Sequence, residues 1–293
     1  MVQFVATVLL KLLSRMPWTF LHGLGYLAGH LLYRLNGREA RNTRANLKIA
    51  YPELDDRQRE EQVRSVLIET SKTFIEMPRI WLHPKSMEGR VDPNGLPEVA
   101  LRLIAQGKGL ILSMPHMGNW EVVSSGGTAG LNVTGLYRPP RKAFIEPILL
   151  EGRNSSTLKM VPTTRAGLKA LNQALKEGEV IVILPDQVPK NAGSAAVAAP
   201  FYGRESRTMI LLSRLAAKYQ SPVLFVWANR LHDGSYRLEH FVADEKIADS
   251  DPREAAIALN QAVQSCVDVA PAQYQWTYRR FEPVDDSQTS PYH

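Results

Sequence analysis

Apolar residues dominate the start of the chain and are interrupted at regular intervals. Over residues 2–15 the polar positions Gln3, Thr7, Lys11 and Ser14–Arg15 recur every three or four residues, a thin stripe on a helix otherwise built of Val, Leu and Phe. Pro17 interrupts, and residues 18–34 repeat the design with Thr19, His22, Tyr26, His30 and Tyr33–Arg34 as the polar side. Further on, the period predicts helices over 38–50, 56–81 (capped by Asp55 or Asp56, with Val63, Val66, Leu67, Thr70, Phe74 and Met77 buried) and 97–107. Additional helices are predicted over 143–153, 167–176 and 207–219, and from Asp251–Pro252 onward.

Between these helices lie short apolar runs bounded by turn residues. Leu110–Leu112, 131–137, 160–161, 180–184, 222–228 and 236–241 read as strands. Strands alternating with helices predict an α/β fold, a single domain with a mixed, largely parallel sheet flanked by helices. An N-terminal membrane-associated helical segment precedes it. The division is residues 1–36 for the helices and 37–293 for the domain. No internal repeat or linker breaks the second part.

The formal charge of +6 sharpens the first part. Residues 1–50 carry seven Lys/Arg and one acid, the whole excess of the protein, and the remainder balances. A basic cluster at 34–48 directly after two apolar helices suits a hairpin lying in a membrane interface, with anionic headgroups as partner. A membrane span and core helices of a soluble domain are the alternatives; two histidines and three glycines in 17–33 weaken the span. One cysteine, Cys266, excludes a disulfide framework.

Candidate chemistry gathers at GLILSMPHMGNWEV, residues 109–122. The strand empties through Pro115 into His116, Gly118 permits a tight turn, and Glu121 falls in the first turn of the next helix. Such strand-to-helix turns are where α/β folds place their chemistry. A neutral imidazole here can take a proton from an attacking hydroxyl, and a carboxylate at its other nitrogen, supplied by Glu121, would fix the tautomer. Simple helix capping is the alternative reading. No nucleophile elbow is present, which favours direct transfer to an acceptor hydroxyl. Neither a zinc-protease helix motif nor a cysteine cluster exists, so no metal is implied.

A second apolar strand, 180–184, empties into Pro185–Asp186–Gln187, and the parallel with SMPH suggests two loops meeting at one sheet edge, where Asp186 and Gln187 could orient the surroundings of His116 or bind substrate hydroxyls; a plain turn is the alternative. Residues 188–200 read as a flap, closed by Phe201–Tyr202–Gly203. The aromatic and basic tail 274–281 reads as packing of the chain end onto the body rather than a nucleic-acid surface.

These blocks, taken in order, resemble the late (secondary) acyltransferases of lipid A biosynthesis, the lauroyl/myristoyl acyltransferases within the lysophospholipid-acyltransferase-like group. The matching pieces are Arg41…Asn46–Leu47 leading to Pro52, HMGNWE, YRP with Arg153 downstream, LPDQ, PFYG followed by Thr208, and QWTYRRF. The resemblance implies an enzyme at the cytoplasmic face of a bacterial inner membrane, needing no cofactor. It would move a fatty acyl group from acyl carrier protein to a hydroxyl of an acyl chain on a lipid A precursor. His116 would be the base and Glu121 its partner, with Arg138, Arg153, Asp186 and Gln187 contacting substrate or stabilising the site, and Arg153 or loop N–H groups donating to the developing oxyanion. An acyltransferase acting on a glycerophospholipid or other glycolipid is the alternative. The alanine-rich flap 188–199 departs from the glycine- and aromatic-flavoured segment expected there.

Overall fold

Seven strands form one sheet in the order β1-β9-β8-β2-β5-β3-β4 in the computed structural model, which describes residues 2–126, 131–140, 146–147, 150, 153, 158–188, 193–285 and 288–292. The strands are β1 (Val91–Asp92), β2 (Leu110–Ser113), β3 (Val133–Tyr137), β4 (Leu158–Pro162), β5 (Val180–Ile183), β8 (Val223–Arg230) and β9 (Tyr236–Val242). All neighbours pair parallel except β8 and β9, which run antiparallel through a short turn. β6 (Ala196–Phe201) and β7 (Arg204–Met209) make a separate antiparallel hairpin. The α/β, mostly parallel sheet is therefore as the sequence pattern predicts.

Every residue of β2 is buried, as a central parallel strand covered on both faces requires. Alternation then divides the core in two. Ile111, Ile181, Ile183, Val223, Phe225 and Trp227 pack on one side, against α3 (Arg38–Ala50), α7 (Arg165–Lys176), α8 (Leu211–Tyr219) and α9 (Pro252–Val269). Leu110, Leu112, Val180, Leu224 and Val226 face the other side. There they meet α2 (Trp18–Leu35), α5 (Leu96–Ile104) and α6 (Trp120–Gly126). The long α4 (Asp56–Leu82) contributes to both, with Val63, Val66 and Leu67 in the first layer and Ile80 in the second. Its start is fixed by a capping box between Asp55 and Gln58.

The N-terminal helices α1 (Val2–Leu13) and α2 have two different sides. α2 lies on α4 through Trp18, Leu21, Gly25 and Gly29, all buried. The approach is so close that a Cβ at Gly29 would collide with the Ile68 backbone. The opposite side leaves Leu9, Leu12, Phe20, Leu27, Leu31 and Leu35 exposed. Among the described residues no helix is long and apolar enough to cross a membrane.

Several local expectations are corrected. Phe74 is exposed, while Glu76, two residues on, is fully buried. The end of the segment read as a flap is hairpin: residues 196–201 are β6, and Thr208 lies in β7 rather than at a helix start. Residues 189–192 and most of the helix expected over 143–153 lie outside the described residues.

Candidate active site

β2 and β5 are adjacent and in register, Leu110 with Val180 through to Ser113 with Ile183. His116 and Asp186 each stand three positions past those paired ends, so parallel pairing alone brings them together at the carboxyl edge of the sheet. The imidazole Nδ1 lies 2.8 Å from Asp186 Oδ1. The His116 backbone N–H donates to Asp186 Oδ2 at 3.1 Å. Both carboxylate oxygens thus engage His116, and the buried Tyr274 phenol bonds the same carboxylate.

Burial alone would raise the Asp186 carboxyl, but the His116 charge and the hydrogen bonds from its ring and backbone outweigh it, holding the group below the ordinary carboxylate range. An ionised carboxylate at Nδ1 keeps the proton there and leaves the Nε2 lone pair available. Among the described residues Nε2 has no hydrogen-bond partner. The ring edge packs on Trp120, centroids 5.1 Å apart.

Glu121, expected to hold the imidazole, has a different set of contacts. It is buried, and its Oε2 accepts from Trp81 Nε1 at 2.8 Å and from Arg153 Nε at 2.8 Å. A second Arg153 nitrogen, Nη2, donates to Oε1. The guanidinium is thus gripped as a fork, with its plane also set over the Trp81 ring. The physical reason for the exchange of partners is the helix: Glu121 lies in the first turn of α6, aimed at α4 and Arg153, whereas Asp186 lies level with His116 on the neighbouring strand.

The remaining predicted residues divide. Gln187 donates from Nε2 to Gln275 Oε1 at 2.7 Å, one residue from Asp186. Arg138, just past β3, makes no hydrogen bond or ion pair among the described residues.

The chain end, read from sequence as simple packing, turns out to be a wall of this site. Gln275 N–H donates to His116 C=O at 2.9 Å, and Gly118 N–H donates to Gln273 C=O at 2.9 Å. Tyr274 is buried, and burial together with the Asp186 charge keeps its phenol protonated, far above the ordinary value. Tyr278 OH accepts from Val188 N–H and donates to its C=O. Asp186 is thus fixed between the strand edge and residues 273–278. The polar residues alternating with aromatics in Gln273–Tyr274–Gln275–Trp276 were the available signal.

Gly118 makes the turn possible. Its φ is +57°, and a Cβ would run into the Ala228 carbonyl. Asn119 then caps α6, its Oδ1 accepting from Glu121 N–H at 3.3 Å.

Comparison with known proteins gives the family. The family model for bacterial lipid A biosynthesis acyltransferases matches residues 1–282. The chain is 25% identical to the lipid A biosynthesis lauroyltransferase of Escherichia coli K12 over 97% of its own length and 92% of the relative. It is 27% identical to the palmitoleoyltransferase of the same strain, covering 93% and 89% of the two chains. A lipid A biosynthesis acyltransferase of Haemophilus influenzae is 26% identical over 86% and 77%. The HMGNWE turn, the LPDQ loop and the chain end all fall inside the matched span. The chain belongs to the bacterial lipid A biosynthesis acyltransferase family.

Proposed function

We propose that this acyltransferase moves a fatty acyl group from acyl carrier protein to a hydroxyl on an acyl chain of a lipid A precursor. The observation that carries the reading is the His116–Asp186 pair, with one ring nitrogen committed and the other open, and an arginine held by Glu121 in the helix turn that follows.

His116 Nε2 takes the proton of the acceptor hydroxyl as its oxygen attacks the thioester carbon. Asp186 stabilises the imidazolium that forms. The carbonyl oxygen becomes an oxyanion, and Arg153, whose Nε and Nη2 are occupied by Glu121, has Nη1 to donate to it. Collapse of the tetrahedral intermediate breaks the C–S bond. The imidazolium proton goes to the departing thiolate, giving an ester and a free carrier thiol. Glu121 in this scheme orients Arg153, and Asp186 takes the orienting role toward His116. Gln187 steadies the Asp186 loop, and Arg138 is a candidate substrate contact by its place at the exit of β3.

The same reading places the protein on the cytoplasmic face of the inner membrane. Leu9, Leu12, Phe20, Leu27 and Leu31 form an exposed apolar side, and Arg34, Arg38 and Arg41 follow it with exposed positive charge. That combination suits interfacial seating beside anionic headgroups. The basic end also suits an acidic carrier and a phosphorylated disaccharide.

The test is a purified-protein assay with acyl carrier protein thioesters of several chain lengths, offered a lipid A precursor or a glycerophospholipid as acceptor. Acyl transfer to the lipid A precursor is expected. Transfer to the glycerophospholipid alone would replace this reading with the second acceptor class.

A further inference from the structure

A second polar cluster lies beneath the HMGNWE turn, and the chemistry above does not use it. Glu76 on α4 is fully buried. Its Oε2 accepts from Asn119 Nδ2 at 2.8 Å, from Arg230 Nη2 at 2.7 Å and from Tyr236 OH. Its Oε1 accepts from Arg230 Nε at 3.1 Å, and His22 Nε2 of α2 stands 2.8 Å away, off the line of a good hydrogen bond. Arg230 also donates to Glu69 and, at 3.1 Å, to Thr73 Oγ1.

The restraints on the turn converge on this cluster. Thr73 Oγ1 donates to Gly118 C=O at 2.7 Å. Gln273, whose C=O holds Gly118 N–H, is bonded through its side chain to both the N–H and the C=O of Arg230 at 2.9 Å. Asn119 faces both ways, its amide N–H toward Glu76 and its oxygen toward Glu121 N–H. It lies between the base and the arginine holder in the chain, joined to Glu76 on one side and to the Glu121 backbone on the other.

We propose that Asn119 is a positioning residue for acyl transfer, tying the turn between His116 and Glu121 to the buried Glu76–Arg230 pair and so fixing the base relative to Arg153. The proposal rests on the roles given to His116 and Arg153 above. Its physical basis is that displacement of a catalytic group by about 1 Å costs on the order of 10²-fold in rate. A cap alone does not set that distance, because a helix start can shift as a unit with its cap. The tether to a buried ion pair does.

Asn119→Ser separates the two tasks. Serine retains an oxygen able to cap α6 but is too short to reach Glu76. Asn119→Ala removes both. The experiment measures thermal unfolding, kcat and KM for wild type, Asn119→Ser, Asn119→Ala and His116→Ala, with acyl carrier protein thioester and lipid A precursor. We expect Asn119→Ser to unfold close to wild type and above Asn119→Ala, yet to share with it a kcat lower by about 10- to 100-fold. KM should change by no more than about threefold. Wild-type kcat in Asn119→Ser, with His116→Ala inactive, overturns the positioning role and leaves the functional reading intact. A kcat loss in Asn119→Ala that Asn119→Ser restores in full also overturns it, since capping would then suffice. An inactive wild type, or full activity in His116→Ala, overturns the functional reading and the positioning role with it.

Discussion

Two buried carboxylates flank one turn of this protein, and they are finished to different degrees. Glu76 is closed, with Asn119, Arg230 and Tyr236 filling its oxygens and burial on all sides. Asp186 is equally buried but serves an imidazole whose Nε2 has no partner among the described residues and whose side chain keeps 18% exposure. A completed network holds a shape; one left open by a single nitrogen is available for proton transfer. The comparison explains why the turn between them is so constrained. In the proposed mechanism the open pair works only if the closed one keeps the backbone still.

The first way to break the comparison is on the open side. His116→Ala should lower acyl transfer by about 10²–10⁴-fold in a protein that remains folded, with the unfolding midpoint lowered because Asp186 stays buried without its ring partner. Steady-state kinetics beside a thermal melt checks both halves.

On the closed side the effect should fall on stability. Glu76→Ala leaves Arg230 buried with only Glu69 as counter-charge and should cost about 3–5 kcal/mol in denaturant unfolding. The pH dependence follows from the same residue. Burial works to raise the Glu76 carboxyl, but Arg230 and the donated hydrogen bonds outweigh it and bring it down to about 2. The unfolded chain therefore takes up this proton first as pH falls, so the contribution is complete above the ordinary carboxylate range and is lost as pH drops toward about 2. Glu76→Gln should flatten that acid limb in a series of unfolding curves, and an unchanged limb would place the acid sensitivity elsewhere.

The smallest stability effect is expected on the outer side of α2. Leu27→Ser with Leu31→Ser touches exposed positions and should alter unfolding free energy by no more than about 0.5 kcal/mol. Binding to vesicles rich in anionic lipid should weaken clearly, as sedimentation would show. Equal binding would remove that surface from the membrane account.

Much of the fold was legible because its signals are local. The apolar runs of β2, β5 and β8 lie between amphipathic helices, and that alternation announces a covered parallel sheet. The two strand exits at His116 and Asp186 were visible as parallel text, SMPH and LPDQ. Their meeting at one site followed from that parallel; the direct pairing of Asp186 with the His116 ring did not, because it depends on β2 and β5 being neighbours in register, a long-range fact that no spacing encodes. Proximity in sequence favoured Glu121 instead. Glu76 escaped notice for a related reason: an acid in a long charged helix reads as solvated until Arg230 and Tyr236, far along the chain, are brought against it. The packing of the chain end was legible in its aromatics, and Tyr274, Trp276 and Phe281 are core residues; its place as a wall of the site was not, because Gln273 and Gln275 reach the turn through backbone hydrogen bonds rather than through a recognisable motif.

The central claim is that Asp186, not Glu121, completes the base. Its most direct test is kcat of Asp186→Asn with acyl carrier protein thioester and lipid A precursor at saturation. Asparagine keeps the shape and an oxygen for hydrogen bonding but removes the charge that stabilises the imidazolium. A fall of about 10²–10⁴-fold in a protein that remains folded is the predicted result, and transfer at the wild-type rate would contradict the account.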